Sequence, residues 1–243
     1  MQHLLNLVDF FDTSSIAAYL KKIIPVGLRH ALRQKHRQLV FHNAMTKFMR
    51  DPAFFIRQDR SIFNQLVYGW SNQGWSAFPE YLIACLEQAL VGKGAILECG
   101  SGLTTILLGV VAEKTGVSVW TLEHNPQWGA KVQDTLRKYS IGSVHASIRP
   151  LKSYGDFNWY EPPLTDMPMF SLVVCDGPPA DTKGGRIGML PVMRSKLSAQ
   201  AVIMLDDAVR EHERSIAQGW AAELRTNVDL LGDATPYIRI LLP

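Results

Sequence analysis

From residue 79 to the end of the chain, short apolar runs alternate with longer amphipathic stretches. The apolar runs have the length of buried strands, whereas the amphipathic stretches have the length and period of helices. This alternation predicts an α/β fold with a doubly wound, mostly parallel sheet and helices on both faces. The last two strands follow each other without a helix, so the final strand is expected to be antiparallel to its neighbour. The predicted strands span residues 95–98, 117–123, 144–148, 170–175, 201–205, 228–231 and 237–242, and the predicted helices span residues 80–91, 103–114, 126–139, 187–197 and 208–224.

The first 75 residues have a different pattern, with predicted helices and loops but no predicted strand. We expect residues 1–75 to form an N-terminal helical extension of a main domain that spans residues 76–243. A turn-rich aromatic segment, Tyr68–Trp75, marks the boundary between the two. Its tryptophans either line a ligand cleft or pack against the main domain.

Charge is distributed unevenly along the chain. The formal net charge is +3, yet the segment from Thr13 to Arg50 holds eight Lys or Arg and no Asp or Glu, so the remaining chain sums to −5. Arg29, Arg33 and Arg37 recur every four residues and would form one stripe on a helix. This stripe is either the solvated face of a helix that docks on the main domain, or a contact surface for acidic lipid or an acidic partner protein. A nucleic acid partner is not expected, and an oligomer is left open.

Composition and cysteine usage indicate the class of protein. A hydrophobic fraction of 47% with a charged fraction of 19% predicts an ordered globular protein. The chain has no apolar run long enough for a membrane span, and residues 1–9 do not have the pattern of a signal peptide. Cys85, Cys99 and Cys175 show no metal-type spacing, and their odd number disfavours a disulfide framework. We therefore expect a cytoplasmic protein, with membrane association through the basic helices as the alternative.

A glycine turn follows the first predicted strand. That strand ends at Glu98, and Gly100, Ser101 and Gly102 come between it and a helix-forming segment. Glycines at such a junction let the backbone approach an adenosine-bearing ligand closely, although an ordinary tight turn has the same pattern. The third glycine of a dinucleotide-binding fingerprint is absent, which disfavours a nicotinamide cofactor. An acid at this strand end can receive a cationic amine, such as that of the amino-acid part of S-adenosylmethionine.

A second acid, Glu123, ends the next strand, 25 residues after Glu98. In a parallel sheet it would lie beside the glycine turn, where a carboxylate can accept the ribose hydroxyls of a nucleoside. We expect His124 to lie at the same ligand. The alternative is that Glu123 only provides a favourable charge at the N-terminus of the helix that begins at Pro126.

Three further acids follow later strands of the predicted sheet. Asp176 ends the fourth strand, and Asp206 and Asp207 end the fifth. Because ligands bind at the carboxyl ends of such strands, the three carboxylates should converge on the substrate, and a divalent cation such as Mg²⁺, Mn²⁺ or Ca²⁺ would relieve their repulsion. Alternatively, Arg186 or Arg210 neutralises the cluster and one of the acids caps the following helix.

With these residues in view, the chain from residue 78 to residue 243 resembles the class I S-adenosylmethionine-dependent methyltransferases. The resemblance implies a Rossmann-like, seven-stranded sheet and S-adenosylmethionine as cofactor. It rests on the first motif of the family, its ribose-binding acid and its fourth-motif acid, which match Glu98, Gly100, Gly102, Glu123 and Asp176.

Within this class, Asp176 together with Asp206 and Asp207 resembles the metal-dependent O-methyltransferases that act on catechols and on sugars. The resemblance implies that these three acids hold the metal. It also has departures. The lysine base of the catechol enzymes falls on Pro179 here, so Lys183 in the following glycine-rich loop is the candidate base. The third strand has no acid for the adenine, so Ser147 is the candidate contact there.

The function expected from this pattern is transfer of a methyl group from S-adenosylmethionine to a hydroxyl of a small molecule, with Asp176 and Lys183 at the acceptor. The acceptor pocket is expected to involve the N-terminal helices and residues 152–169, which either form a lid or pack on the domain. The alternatives are a metal-independent N-methyltransferase, a nicotinamide-dependent oxidoreductase and a non-catalytic protein docked on a membrane or a partner.

Overall fold

A computed structural model of the protein describes residues 25–71 and 77–243. In the first of these ranges the chain is helical, as the sequence predicts. The carboxylate of Asp51 accepts a hydrogen bond from the backbone N–H of Phe54, so Asp51 ends one helix and caps the next. The predicted boundary between residues 75 and 76 lies outside the described residues. The helices of this range are α1 (Val26–Arg50), α2 (Pro52–Arg57) and α3 (Ser61–Trp70).

The second range contains the predicted sheet. Seven of its strands pair in the order β3-β2-β1-β6-β7-β9-β8, and β9 is antiparallel to both of its neighbours. The prediction of a mostly parallel, seven-stranded sheet with an antiparallel last strand is therefore confirmed. The strands are β1 (Ala95–Cys99), β2 (Val119–Glu123), β3 (Val144–Ile148), β4 (Lys152–Ser153), β5 (Asn158–Trp159), β6 (Phe170–Cys175), β7 (Leu197–Leu205), β8 (Val228–Leu231) and β9 (Tyr237–Leu241).

Helices cover both faces of this sheet, so two hydrophobic clusters form, one on each side. One cluster joins side chains of α1 and α3 to those of the helices before and after β1, and Phe48 and Leu66 are fully buried in it. The described part of the N-terminal extension therefore shares a core with the main domain. The helices of the main domain are α4 (Pro79–Val91), α5 (Leu103–Thr115), α6 (Pro126–Lys138), α7 (Met189–Met193) and α8 (Glu211–Leu224).

Three segments differ from the sequence prediction. The helix expected over 187–197 is shortened to α7 and one 3₁₀ turn, and β7 begins at Leu197 instead of residue 201. The helix expected from residue 208 begins at Glu211, because Asp207 has a positive φ of 62° and starts a turn that closes on Arg210. Residues 152–169 pack on the domain through the buried Trp159. Strands β4 and β5 within this segment are only two residues long, too short for a period to be visible in the sequence.

The predicted arginine stripe lies on α1, and it is only partly exposed. Arg33 is exposed, whereas Arg37 donates a hydrogen bond to Ser71 Oγ (2.8 Å) and stacks over the ring of Tyr68. Helix α1 also exposes three leucines, Leu28, Leu32 and Leu39. In the described part of the chain, no helix combines the length and the hydropathy that crossing a membrane requires. All three cysteines are free and buried.

Candidate functional site

The predicted site residues meet at the carboxyl edge of the sheet, where the turns after β1, β2, β6 and β7 lie side by side. The backbone N–H of Asp176 donates to the carbonyl of Cys99 (3.0 Å), and the N–H of Asp206 donates to that of Cys175 (3.1 Å). These bonds extend the sheet pairing by one residue into the turns. The parallel pairing of the strands therefore fixes where the acids that follow them lie.

Gly100 is required by the close approach of two of these turns. It has φ +90°, a conformation that side chains with a Cβ rarely adopt, and a Cβ placed there would lie 3.1 Å from the Cα of Gly177. Gly102 is different, because its φ of 179° is ordinary extended backbone and a Cβ would point into open space. Gly100 is thus required for the close packing of the two turns, whereas Gly102 leaves open space at its Cβ position.

Glu123 holds the glycine turn in place. One carboxylate oxygen accepts from the backbone N–H (3.0 Å) and the hydroxyl (2.7 Å) of Ser101. The other accepts from the backbone N–H groups of His124 (2.8 Å) and Asn125 (2.7 Å). Burial acts against the charge, but these hydrogen bonds prevail and lower the pKa of Glu123 below its ordinary value. Its contact with a ribose stays a prediction.

Glu98 lies beneath the turn. It is 1% exposed and accepts a hydrogen bond from Thr105 Oγ1 (2.6 Å), whose hydroxyl oxygen in turn accepts from the backbone N–H of Gly102 (2.8 Å). Burial raises the pKa of Glu98 to about 8, although the Thr105 bond opposes that rise. Glu98 does not line the cleft described below, so its predicted contact with a ligand amine stays untested and its observed role is to support the turn.

A small cleft opens above the turn. The glycine turn, the first residues of α5 and Asp176 line it. Trp70 of α3 and Trp128 of α6 also line it, and their rings pack edge to face at 5.8 Å. The described part of the N-terminal extension therefore contributes a wall of the cleft. The residues that line it are Trp70, Ala77, Gly100, Ser101, Gly102, Leu103, Thr104, Trp128 and Asp176.

Trp128 is fixed to the turn that it covers. Its indole Nε1 donates to the carbonyl of Ser101 (2.7 Å). The ammonium of Lys131 lies over both indole rings, 4.3 Å from the centre of Trp70 and 4.4 Å from that of Trp128. Burial lowers the pKa of Lys131. This wall combines two aromatic rings with a cation, a surface suited to an aromatic or anionic group of a ligand.

Arg186 lies among the three acids for which the sequence predicts a metal. Its Nη2 donates to Asp207 Oδ2 (2.6 Å), to Asp176 Oδ1 (3.2 Å) and to the carbonyl of Asp176 (2.9 Å). Its Nη1 donates to the carbonyl of Asp206 (2.8 Å). Arg210 adds a second cation at the rim, with Nη1 2.7 Å from Asp207 Oδ2. The guanidinium, 2% exposed, thus ties the ends of β6 and β7 together.

The structure does not support the metal prediction for Asp176, Asp206 and Asp207. In residues 25–71 and 77–243, no three His, Cys, Asp or Glu residues are grouped so that they could hold a metal ion. The physical reason is the guanidinium itself, which already supplies the positive charge that a divalent ion would bring. The alternative drawn from the sequence, neutralisation by Arg186 and Arg210, is what the contacts show.

Burial raises the pKa values of two carboxyls of the cluster, and one of these two is partly exposed. Burial raises the pKa of Asp176, Arg186 opposes that rise, and the neighbouring acids add to it. Burial likewise raises the pKa of Asp206, while the hydrogen bond from the N–H of Asp207 opposes the rise. The side chain of Asp176 is 28% exposed, and none of the described residues donates to its second oxygen. Asp176 is thus the acid of this cluster that can meet a ligand in the cleft.

The remaining predicted residues lie around this centre. Lys183 is exposed in the loop after β6, and its ammonium donates to the carbonyl of Gly155 (2.7 Å), so its described contact is with the β4–β5 hairpin and not with Asp176. His124 lies beside Glu123, with Nδ1 3.2 Å from Oε1. Ser147, in β3, pairs with Leu122 of β2 and is half-buried. Their predicted roles in catalysis and cofactor binding stay predictions.

Sequence reasoning missed Trp128 and Lys131, and it included Tyr160 only as one residue of the 152–169 segment expected at the acceptor pocket. The hydroxyl of Tyr160 is buried without a hydrogen-bond partner among the described residues, and it would lie 2.5 Å from a Cβ on Gly177. Such an unpartnered group beside the glycine turn is suited to a polar atom of a ligand. No local pattern distinguishes these residues from ordinary helix and loop positions, since only the packing of α3, α6 and the 152–169 segment brings them to the edge.

Comparison with known proteins finds similarity only at the level of structure. No family model matches the chain, and no curated protein sequence is similar to it. The O-methyltransferase from Bacillus cereus in complex with S-adenosylhomocysteine has a TM-score of 0.54 at 16% identity, covering 77% of this chain and 89% of that one. The precorrin-6Y C5,15-methyltransferase from Geobacter metallireducens GS-15 has a TM-score of 0.52 at 17% identity, covering 70% and 90%. An O-methyltransferase from Streptomyces achromogenes, in complex with S-adenosylmethionine, has a TM-score of 0.51 at 14% identity, covering 70% and 82%.

These likenesses establish the fold. The chain has the Rossmann-like fold of the class I S-adenosylmethionine-dependent methyltransferases, with the seven-stranded sheet that the resemblance implied. The fold predicted from the glycine turn and from the alternating strands and helices is therefore confirmed.

Proposed function

We propose that this protein binds S-adenosylmethionine in the cleft above the glycine turn and transfers its methyl group to a hydroxyl of a small molecule. One observation carries the proposal: the glycine turn and Asp176 line the same cleft. A cofactor held by the turn and an acceptor held by the carboxylate would therefore lie next to each other. The fold supports the cofactor, because two of the structural neighbours are in complex with S-adenosylmethionine or S-adenosylhomocysteine.

The residues of the cleft fit this cofactor. Helix α5 begins at Leu103, and its N-cap, Gly102, has no side chain to satisfy the first N–H groups. Exposed N–H groups at a helix N-terminus suit a carboxylate such as that of the methionine part. Ser101 and the indole of Trp128 border the same space. The rings of Trp70 and Trp128 line the same space, and a less polar wall favours a step that disperses the positive charge of the methyl donor.

At the acceptor, Asp176 acts as the proton acceptor. Bound S-adenosylmethionine supplies an electrophilic methyl group. The second oxygen of Asp176 accepts the hydrogen bond of the acceptor hydroxyl and orients its oxygen toward that methyl group. A new oxygen–carbon bond forms as the sulfur–carbon bond breaks, the electron pair of the broken bond stays on sulfur, and the proton passes to Asp176. Burial raises the pKa of Asp176, so its ionised form, which is populated as the pH rises through that pKa, is a stronger base than an ordinary aspartate.

This proposal does not include the metal assistance expected from the sequence. The guanidinium of Arg186 lies between Asp176 and Asp207, so the acids do not fit a divalent ion and no step is assigned to one. The acceptor need not chelate a metal, so single hydroxyls are candidates alongside vicinal diols. An amine is the competing acceptor, since Asp176 could hold an N–H as well as an O–H.

Calorimetry with S-adenosylhomocysteine and an assay of S-adenosylhomocysteine release test the proposal. The assay supplies S-adenosylmethionine and a panel of phenols, catechols, sugars and amines, each with EDTA and with Mg²⁺. We expect binding of the product cofactor and turnover of a hydroxyl acceptor. Asp176→Asn, which keeps an oxygen for Arg186, should lower turnover by about 100-fold or more. Asp229→Asn, an exposed acid paired with Arg239 at the far edge of the sheet, is the matched control.

Two results would overturn the proposal. Absence of binding to both S-adenosylmethionine and its demethylated product would remove the cofactor, and binding of NAD(H) in its place would favour the oxidoreductase. Turnover of amines alone would keep the cofactor but replace the hydroxyl by a nitrogen acceptor.

A further inference from the structure

We propose that Arg186 is the resident cation of this site: its guanidinium takes the position between Asp176 and Asp207 that a divalent ion would otherwise hold, and it orients Asp176 toward the acceptor. Arg186 is thus a positioning residue, since it acts through Asp176 and does not itself reach the cleft. The catalytic part of this inference rests on the proposed function, whereas the statement about the cation does not.

The geometry around Nη2 of Arg186 supports the inference that the guanidinium takes the position of a divalent ion. This one nitrogen lies 2.6 Å from Asp207 Oδ2, 3.2 Å from Asp176 Oδ1 and 2.9 Å from the carbonyl of Asp176. A magnesium ion needs oxygen ligands at about 2.1 Å in an octahedral arrangement. An ion between these two carboxylates would therefore have to displace the guanidinium, which is 2% exposed and has no solvent to move into.

The charges of the neighbourhood hold the guanidinium there. Although burial acts against it, the charge of Asp176 raises the pKa of Arg186 above its ordinary value, so the side chain stays a cation. Removing a buried cation from between carboxylates leaves their charges uncompensated, which is strongly destabilising. The arginine is thus a permanent member of the site, unlike a metal that exchanges with solvent.

The hydrogen bonds to backbone carbonyls support the inference that Arg186 orients Asp176 toward the acceptor. Nη1 holds the carbonyl of Asp206, and Nη2 holds the carbonyl and one carboxylate oxygen of Asp176. Arg186 therefore fixes both the backbone and the side chain of Asp176, and it leaves for the acceptor the second oxygen, to which no described residue donates a hydrogen bond. A lysine offers a point charge and cannot make this planar set of bonds.

The experiment combines metal titration of the wild-type protein with variants of Arg186. Melting temperature and turnover are measured with EDTA and with millimolar Mg²⁺ or Mn²⁺. We expect the wild type to be unaffected by these ions. In Arg186→Gln the carboxylates lose their cation, so Mn²⁺ should raise the melting temperature of this variant. The rise should be absent in the double variant that also carries Asp207→Asn.

The kinetic measurement separates positioning from cofactor binding. Arg186→Gln should lower kcat by about 100-fold and Arg186→Lys by about 10-fold, because the lysine restores charge but not the fork of hydrogen bonds. The affinity for S-adenosylhomocysteine should change less than about threefold in either variant, as Arg186 does not line the cleft. Arg194→Ala, which removes an exposed arginine that pairs with Glu223, is the control.

The inference is overturned if Mn²⁺ stabilises the wild type and Asp207→Asn abolishes that effect, or if Arg186→Gln retains the wild-type kcat. If Arg186→Gln does not fold, the metal titration of the wild type and the kcat of Arg186→Lys test the inference instead. If no acceptor is turned over, the proposed function fails, and the melting measurements still decide whether Arg186 is the resident cation.

Discussion

The carboxylate of Glu123 accepts hydrogen bonds from both the backbone N–H and the hydroxyl of Ser101, at 3.0 and 2.7 Å. These two bonds join the end of β2 to the turn after β1. Within the turn itself, no residue accepts from these two donors of Ser101. Because the turn forms one wall of the cleft, its conformation and the affinity of the cleft for a ligand should depend together on Glu123.

Glu123→Gln should weaken both properties. The carboxamide replaces one acceptor oxygen by an NH₂ group, which must then face an N–H donor of either Ser101 or Asn125. We expect a loss of about 1–3 kcal/mol in the free energy of unfolding, measured by urea denaturation. Affinity for S-adenosylhomocysteine, measured by calorimetry, should fall at least about tenfold.

Ser101→Ala is the comparison for that variant. It removes one hydrogen bond and keeps the backbone N–H, so it should cost only about 1 kcal/mol. Equal stability of the wild type and Glu123→Gln would show that the two hydrogen bonds from Ser101 to Glu123 do not hold the turn.

The two glycines of the turn should respond differently to alanine. Gly100→Ala should destabilise the fold by about 1–3 kcal/mol, because φ is +90° and the Cβ would lie 3.1 Å from Gly177. Gly102→Ala should leave the free energy of unfolding within about 1 kcal/mol, since its φ is extended and its Cβ meets no atom within 4 Å.

Gly102→Ala also tests where the cofactor binds. Its new methyl group would occupy part of the cleft that Gly102 lines, so affinity for S-adenosylhomocysteine should fall even though the melting temperature hardly changes. A variant with normal stability and undiminished affinity would place the cofactor elsewhere.

Glu98 should make the protein less stable as the pH rises. Its pKa in the folded protein is about 8, against an ordinary value of 4.5, so the folded state binds a proton that the unfolded chain has already lost. Its contribution to stability is therefore fully present below about pH 4.5, declines as pH increases toward 8 and is then constant.

Glu98→Gln removes this contribution while keeping an oxygen for the Thr105 hydroxyl. At pH 9 the variant should be more stable than the wild type by up to about 5 kcal/mol, and near pH 4 the two should differ little. Urea denaturation across this pH range provides the measurement. The raised pKa values of Asp176 and Asp206 act in the same direction, so the variant should retain part of the wild-type slope. Parallel pH profiles of wild type and variant would contradict a raised Glu98 pKa.

Trp128 should report on the cleft and help to form it. Trp128→Phe removes the hydrogen bond to the Ser101 carbonyl but keeps a ring against Trp70 and beneath Lys131. We expect it to weaken S-adenosylhomocysteine binding several-fold and to reduce the change in tryptophan fluorescence that binding causes. Trp220→Phe, at a buried tryptophan of the opposite sheet face, is the control and should leave both properties unchanged. An unchanged fluorescence response in Trp128→Phe would mean that the ligand does not approach this wall.

The sequence by itself determined the sheet and the position of its acids. The strand-forming runs along the sequence coincide with β3, β6 and β8, and Glu98, Glu123 and Asp176 follow from where strands end. For β6, which lies between two parallel neighbours, the reason is that a buried parallel strand has to be a nearly continuous apolar run. The boundaries were less well predicted around α7 and α8, where Asp207 adopts a positive φ and bonds to Arg186 and Arg210.

The tertiary structure decided what those acids do. Local periodicity does not encode that Arg186, 10 residues beyond Asp176, folds back to bond both Asp176 and Asp207, since this depends on how the loop after β6 packs against the end of β7. The same holds for Trp70 and Trp128, which are 58 residues apart and meet over the glycine turn only because α3 and α6 pack on the same face of the sheet. Strand positions are set by the burial of neighbouring residues along the chain, whereas the partners of a charged or aromatic side chain are set by elements that are distant in sequence.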